Sequence, residues 1–403
     1  LLLFFSQEGF SQLSKTHYIP PITGGTGGNG PAIQRIYIST PSAGVVNYTI
    51  RNGGEFGTVY DTGTVTNTDS EEIELSGSWG EVFVEQTEVE TVLDKGFVIT
   101  ADDEIYVSYR FVSDNSYQAG ALVSKGLSAL GTRFRAGMLQ NYNSTSHIGF
   151  ISVMASENNT TIDFELPGSI QTTGLKSDHS ITLEKFQSYI IANKGDTNSL
   201  IGSLITSDKP IVVNTGALGS FANVWGQDYG IDQIVGSTIV GSEYIFIKGS
   251  DYEDIENVLI IADQDNTEIY LNDDGTGAVY TTLNTGEYVN IKNEFNTDGN
   301  LYVKAGNVDH KLFAYQGTGK YYNNDAPGAN QGMYFVPPLN CATKGDVDNI
   351  PSIDKIGPSF FKDPALVSFI TKDGAEVFVN GVDVNTLATA KEVTGNPDYV
   401  TYK

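Results

Sequence analysis

Short runs of alternating apolar and polar residues, separated by turn residues, recur along the chain. Four segments each contain such a run, then a two-residue turn and then a second run. They are IYISTPSAGVVNYTI from Ile36, ISVMASENNTTIDFEL from Ile151, VLIIADQDNTEIYLND from Val258 and VSFITKDGAEVFVNG from Val367. Alternation with a period of two is typical of strands that bury one face. The pattern predicts that each segment is a β-hairpin.

The residues at the predicted turns support this interpretation. The four turn pairs are Ser42-Ala43, Asn158-Asn159, Asp265-Asn266 and Asp373-Gly374. Asn, Asp and Gly tolerate the positive φ angles that tight turns require, so the last three pairs favour a turn most strongly. Successive turns lie between 107 and 116 residues apart, which indicates an internal repeat.

A second element recurs once in each of the first three repeats. It begins at Phe97 (FVITADDEIYVSYRF), at Ser203 (SLITSDKPIVVNTGA) and at Leu301 (LYVKAGNVDHKLFAYQG), and each copy is interpreted as a strand, a polar turn and a strand. A repeat of about 110 residues matches a β-sandwich of roughly seven strands and exceeds a propeller blade of about 40–50 residues. We expect an all-β chain of tandem β-sandwich-like repeats of about 110 residues, three complete plus the start of a fourth. Packing of the repeats around a common axis stays open.

The repeat pattern also gives domain boundaries. The predicted repeats are 32–137, 138–249, 250–357 and, as a partial fourth, 358–403. Residues 14–31, which include ITGGTGGNGP, are predicted to be a Gly-rich linker. Residues 1–13 begin with LLLFF, an apolar run too short to span a bilayer, and are interpreted as the remnant of a signal peptide. We therefore expect an exported protein, extracellular or at the cell surface.

Composition and charge narrow the classes of partner. The chain has 49 acidic and 23 basic residues, a net charge of -26, and is rich in Gly, Tyr and Phe. A field of this sign repels nucleic acid and anionic lipid, so neither is an expected partner. No membrane insertion is expected either, because no segment approaches eighteen unbroken apolar residues. The lone cysteine, Cys341, excludes an internal disulfide and a cysteine-based zinc cluster.

No catalytic motif stands out. The four histidines are scattered and form no HExxH pair, and the chain has no GxSxG sequence. We therefore predict no catalytic residues and expect a protein that is not an enzyme. Paired carboxylates leave no signature in sequence spacing, so a carbohydrate-active hydrolase stays as a third alternative.

Five segments resemble a known family: ALVSKGLSALGTRFRAG, SDKPIVVNTGA, DYGIDQIVG, ENVLIIADQDNTEI and FVPPLNC. They look like the N-terminal domain of the IgGFc-binding-protein type, over about residues 118–382 and more loosely over 32–117. The resemblance implies an extracellular binding or adhesion module. In this family the domain occurs in secreted bacterial surface proteins of Bacteroidetes type, often with a C-terminal sorting domain. The resemblance brings no catalytic motif, and the family name does not establish that this chain binds immunoglobulin.

Two segments combine aromatic and polar residues as binding surfaces do. They span 217–233 and 320–334, and aromatic rings of this kind stack on sugars or fill protein pockets. The predicted ligand-binding residues are Phe221, Trp225, Asp228, Tyr229, Tyr321, Tyr322 and Asn324. The expected partner is an extracellular glycoprotein or polysaccharide, bound by one part of a larger chain. The alternatives are that Trp225 only caps a core and that the repeats are a structural stalk.

Carboxylates raise the question of calcium. Five of them lie within residues 258–277, but Glu268 stands where a calcium loop beginning at Asp263 needs glycine. The position of Asp263 is held in the other repeats by Thr40, Ser156 and Thr371, so the ability to turn recurs and the negative charge does not. The sequence DQDN is therefore interpreted as a turn. Calcium is the one possible cofactor, and the candidate ligands are Asp273, Asp274, Asp346 and Asp348.

Overall fold

The computed structural model is built almost entirely of β-strands. It describes residues 12–24, 30–75, 80–113, 118–140, 147–167, 178–195, 197–219, 227–249, 255–321, 329–339, 349–356, 359–360 and 366–403. Within these ranges the one α-helix is α1 (Val384–Leu387), and short 3-10 turns occupy Gly126–Ala129 and Thr197–Leu200. The prediction of an all-β chain is confirmed.

The first strand group is organised around one long strand. Its members are β1 (Ser14–Ile19), β2 (Ile22–Thr23), β3 (Pro31–Ser39), β4 (Val46–Asn52), β5 (Val59–Val65), β6 (Glu71–Leu75), β7 (Phe83–Val84), β8 (Phe97–Ser113) and β9 (Ala119–Val123). The main sheet has the order β5-β4-β8-β3-β6, and β1 and β9 also pair with β8. The two edge strands β5 and β6 approach each other, so the sheet nearly closes into a barrel.

The second strand group repeats this order strand for strand. Its members are β10 (Gly131–Arg135), β11 (Ile148–Ala155), β12 (Thr160–Glu165), β13 (His179–Leu183), β14 (Ser188–Lys194), β15 (Leu204–Gly219) and β16 (Asp228–Ile234). The order is β13-β12-β15-β11-β14, with β10 and β16 paired to the long strand β15.

The third strand group has the same partners, but its long strand is broken. Its members are β17 (Glu243–Ile247), β18 (Val258–Ala262), β19 (Thr267–Leu271), β20 (Thr281–Leu283), β21 (Tyr288–Ile291), β22 (Asn300–Ala305), β23 (Leu312–Tyr321) and β24 (Ala329–Phe335). Because β22 and β23 are separate, the group forms two four-stranded sheets, β17-β22-β19-β20 and β21-β18-β23-β24.

The C-terminal segment adds short strands. They are β25 (Lys355–Ile356), β26 (Ser359–Phe360), β27 (Phe369–Lys372), β28 (Phe378–Val379), β29 (Val382–Asp383), β30 (Lys391–Glu392) and β31 (Tyr399–Tyr402). The β27-β31-β30 sheet packs on the third group, where the Asn300 amide donates to the Glu392 carbonyl at 3.0 Å and to the Thr401 hydroxyl at 3.1 Å.

The predicted hairpins are not hairpins. Strands β3 and β4, β11 and β12, and β18 and β19 do not pair with each other, although each pairs with the long strand of its group. The predicted turn residues do adopt positive φ angles, 53° at Asn159, 54° at Asn266 and 77° at Gly374. Residues of β3 and β4 meet in one core, so these turns join two layers of a sandwich.

The second predicted element also differs. We predicted a polar turn within it, but β8 and β15 run straight through as strands of 17 and 16 residues. Only the third copy is interrupted, between β22 and β23. A long strand can carry polar residues in its middle, because it crosses there from the first layer of the sandwich to the second.

Two strands pair across the predicted domain boundaries, which themselves stay a prediction. Strand β1 falls within 14–31, the predicted linker, yet it pairs with β8. Strand β10 falls within the first predicted repeat, yet it pairs with β15 of the second group. The signal-peptide prediction concerns residues that lie mostly outside the described ranges. The number of repeats stays a prediction.

The groups share their cores. Ile151 and Val153 of β11 point into a cluster that also holds Leu259 and Ile261 of β18. Phe150, on the other face of β11, belongs to the core of the first group. The strand groups are therefore packed together with buried apolar surfaces between them, and this packing sets the position of the candidate site.

Candidate functional site at the junction of three strands

The last strands of the three groups meet at one place, which we call the junction. Strand β16 packs against both β9 and β24. Asp228, the first residue of β16, accepts a hydrogen bond from the Ala119 amide at 2.6 Å and another from the Gln331 amide at 3.2 Å. Asp232 accepts from the Phe335 amide at 2.8 Å. Two carboxylates on one strand thus tie three strands together.

Asp228 is enclosed by protein. Its side chain accepts a third backbone hydrogen bond, from the Tyr229 amide at 3.2 Å, and the residue is 4% exposed. Burial raises the pKa of this carboxyl to about 7, and the backbone donors oppose that rise only in part. A substantial fraction of this carboxyl is therefore protonated near neutral pH.

A buried ion pair lies beside it. The Lys125 ammonium is 2.8 Å from Asp232, and both side chains are almost fully buried. Burial lowers the pKa of Lys125, while Asp232 counteracts that effect. Gln233 completes the network, since its amide donates to the Tyr18 carbonyl at 2.9 Å and its oxygen accepts from the Lys125 backbone at 2.7 Å. These polar groups of the junction therefore bind neighbouring segments of the chain to one another.

Tyr229 belongs to the hydrophobic core. It is 2% exposed, and its ring meets Phe111 and Phe83 edge-on at centroid distances of 4.8 and 5.8 Å. A ligand on the surface would contact neither this ring nor the Asp228 carboxylate. Every residue of β16 is buried, but a strand that reads DYGIDQI carries no sequence signal of that burial.

The other predicted ligand-binding residues lie outside the described part of the chain. This holds for Phe221, Trp225, Tyr322 and Asn324, and for the side chain of Tyr321 at the end of β23. The structure does bring together the strands that flank them. Residues 220–226 connect β15 to β16, residues 322–328 connect β23 to β24, and β16 contacts β24 at the junction. The two segments selected from the sequence, 217–233 and 320–334, therefore begin on β15 and β23 and end on β16 and β24, and these last two strands contact each other.

The two candidate calcium ligands that are described, Asp273 and Asp274, lie in a turn that their own hydrogen bonds hold together. One oxygen of Asp273 accepts from the amides of Gly275, Thr276 and Gly277 at 2.8 to 2.9 Å. These bonds, led by that of Gly277, lower the pKa of Asp273. Asp274 accepts from the Thr276 hydroxyl at 2.6 Å.

Other candidates for metal binding are not described. Asp346 and Asp348 lie outside the described ranges, as does the lone cysteine, Cys341, which is not a candidate ligand. Within those ranges, no three His, Cys, Asp or Glu side chains are grouped to hold a metal. Calcium binding stays a prediction.

The buried histidine His17 is also structural. It lies on β1, and its Nε2 donates to the carbonyl of Ile105 at 2.9 Å, which fixes the proton on that nitrogen. Full burial lowers its pKa to about 4. A neutral imidazole that bonds to backbone carbonyls holds β1 on β8.

Sequence reasoning missed a cluster between the second and third groups. Asp263 lies in the DQDN turn, and its carboxylate binds Arg133 at 2.8 Å and Arg135 at 2.9 Å. Asp263 and Arg135 are buried. The partners lie about 130 residues apart in the chain, so no local pattern could have joined them.

The comparisons with known proteins agree with the resemblance seen in the sequence. A family profile described as IgGFc binding protein matches residues 119–403. The match begins at the first residue of β9 and includes the second and third strand groups and the C-terminal segment. No curated protein matches the chain. Among the described residues, no helix is long and apolar enough to cross a bilayer.

Proposed function

Because the chain belongs to the IgGFc binding protein family over most of its length, we propose that it is a non-enzymatic binding module that recognises glycoproteins or glycans outside the cell. The family match carries this proposal, because the family is one of binding domains. The setting would be extracellular or at the cell surface, within a larger adhesive protein.

Three buried carboxylates, Asp228, Asp232 and Asp263, support binding over catalysis. A general acid or base must reach the proton that it transfers in the substrate. At the junction, Asp228 bonds to backbone amides and Asp232 bonds to Lys125. Asp263 is held by two arginines. Each of these three carboxylates is therefore already bound by other groups of the protein.

The proposed ligand surface consists of the two predicted segments, 217–233 and 320–334. Phe221 and Trp225 follow β15, Tyr321 ends β23, and Tyr322 and Asn324 follow it. The strands that come after these residues, β16 and β24, contact each other, which supports the proposal. The net charge of -26 disfavours sulfated or sialylated ligands and favours neutral glycans or basic protein surfaces. Immunoglobulin Fc is one protein to include, since the family name points to it.

The test is a binding panel with a matched pair of variants. The full chain would be presented to immunoglobulin Fc, mucin-type glycoproteins, neutral glycans and sulfated glycans, with calcium and with chelator. We expect micromolar binding to at least one neutral or protein ligand, and a loss of tenfold or more in Trp225→Ala. Phe56→Ala, which removes an aromatic ring 87% exposed in the first group, is the control and should bind normally.

Two results would contradict the proposal. One is the absence of binding across the panel at several micromolar protein. The other is unfolding of Trp225→Ala at a clearly lower temperature than Phe56→Ala, which would make Trp225 a core residue.

A further inference from the structure

A segment that follows the third strand group returns to the first one. Residues 349–356, which we call the strap, lie against the face of β3 and β8 that points away from their core. The Asn349 amide donates to the Thr40 carbonyl at 2.8 Å, and the Ser39 hydroxyl donates to the Asn349 carbonyl. These contacts join positions more than 300 residues apart.

Arg110 of β8 makes most of the polar contacts to the strap. Its guanidinium donates to the carbonyls of Ser352 at 2.7 Å, Pro351 at 2.9 Å and Lys355 at 3.0 Å. The same group lies over the Tyr37 ring, 4.1 Å from its centroid. The planar guanidinium thus donates to three carbonyls of one turn. The Lys355 amide closes this turn by donating to the Ser352 carbonyl.

The charge of Arg110 explains why a segment must bind to the outer face of β3 and β8. The side chain is 7% exposed, and within the described part of the chain no ion pair compensates it. A buried cation is costly unless hydrogen bonds satisfy it, and here carbonyl dipoles and an aromatic face do so. Because all three acceptors are main-chain atoms, the site selects the shape of a turn more than its side chains.

The strap also fills a position that a strand group fills elsewhere. The outer face of β11, through Ile148 and Phe150, packs into the core of the first group. The outer face of β18, through Leu259 and Ile261, packs into the core of the second. The equivalent outer face of β3 holds Tyr37, which is fully buried, and the Arg110 guanidinium that lies over its ring binds the strap.

We propose that the outer face of β3 and β8 is a binding site for a peptide turn that presents three main-chain carbonyl oxygens, and that the strap is its resident ligand. None of its residues belongs to the two segments of the proposed ligand surface. Its ligand class is a compact peptide turn, and Arg110 is the group that recognises it.

A substitution in the backbone turn of the strap can empty the site without changing any residue of β3 or β8. Ser352 has a φ of 48°, in the left-handed region. Proline fixes φ near −65° and is incompatible with this conformation, whereas glycine adopts it without strain. Ser352→Pro should therefore release the strap, and Ser352→Gly should retain it.

The first measurement is hydrogen exchange of the strap amides in the full chain. We expect Arg110→Ala and Ser352→Pro to increase exchange in residues 350–356 by tenfold or more, and Arg110→Lys to give a smaller increase. Ser352→Gly should not increase it. Arg51→Ala removes an exposed arginine of β4 in the same group and should leave the strap protected. Amides of β8 should stay protected in all variants, which separates strap release from unfolding.

The second measurement tests the site itself. A labelled, capped peptide NIPSIDKI, the sequence of residues 349–356, is titrated into each variant. We expect it to bind Ser352→Pro and to bind at least tenfold more weakly to wild type, where the tethered strap competes at high effective concentration. The double variant Ser352→Pro, Arg110→Ala should lose the binding.

The proposal is overturned by either of two outcomes. In the first, strap exchange in Arg110→Ala equals that in Arg51→Ala. In the second, the peptide binds equally to Ser352→Pro with and without Arg110, or does not bind to Ser352→Pro at millimolar concentration.

Discussion

Asp263 has a role that its sequence context hides. Its position in the repeat is held elsewhere by Thr40 and Ser156, whose hydroxyls donate to the carbonyls of Glu104 and Pro210. Comparison of the repeats therefore suggested that only the ability to turn mattered here. The structure places two arginines of β10 against this carboxylate. The shape of the turn was predictable from the sequence, whereas its charge partner depends on how the groups pack.

Replacing Asp263 with Asn should destabilise the protein. Arg135 would remain buried without its charge partner, and the loss is about 3–5 kcal/mol for a broken buried pair. The value should fall near the lower limit because Arg133 is 37% exposed and regains water. Urea unfolding measures the change. Asp309→Asn, an exposed residue of the same group, is the control, and equal midpoints for the two variants would contradict the prediction.

Asp228 should make stability depend on pH. Its pKa is about 7 in the folded protein, above its ordinary value of 3.8, so the folded state binds more protons between these values. The free energy of unfolding contributed by this group is therefore full below about pH 4 and falls as pH rises to about 7, by up to about 4 kcal/mol. An asparagine side chain at this position cannot titrate, so the stability difference between wild type and Asp228→Asn should shift against wild type from pH 4 to pH 8. A difference independent of pH would refute the assignment.

At the scale of elements, the sequence predicted which segments are strands but not which strands pair. A period of two identifies the buried face of a strand and says nothing about its neighbour. Asn159 and Asn266 marked real turns, yet the chain crosses there from one layer to the other. Polar residues such as Asp102 and Asp103 suggested a turn in the middle of β8, where the strand instead continues between layers.

The turn at Asn266 allows a test of this crossing. Its φ of 54° is tolerated by Asn and Gly and disfavoured for a β-branched residue. We expect Asn266→Val to lower the free energy of unfolding by about 1–2 kcal/mol, and Asn266→Gly to change it by less than half of that. Thermal unfolding would show this. Equal losses in both variants would mean that the side chain, not the backbone angle, determines the stability.

At the scale of the whole molecule, the folded unit extends beyond the family match. The match begins at residue 119, but β9 pairs with β8, and Tyr229 packs on Phe83 and Phe111. The strap likewise docks on β3 and β8. A repeat period gives the length of a unit and not the surfaces that it shares. The shared cores were therefore beyond prediction from the sequence.

A fragment of residues 119–403 should not fold as the longer chain does. It would expose Phe150 and remove β8, which pairs with β9 and binds the strap, whereas residues 12–403 retain all of these contacts. We expect the shorter fragment to lose near-ultraviolet circular dichroism and a cooperative thermal transition. A sharp transition at the same temperature in both fragments would contradict this expectation.

The two-sided burial of β11 also has a consequence for sequence variation. All eight of its residues are buried, because one face serves its own core and the other the core of the first group. Strand β12 of the same group alternates between buried and exposed positions. In a library of single substitutions, β12 should tolerate polar residues at every second position, and β11 should reject them along its whole length. Strands such as β11 would then change slowest as sequences of this fold diverge.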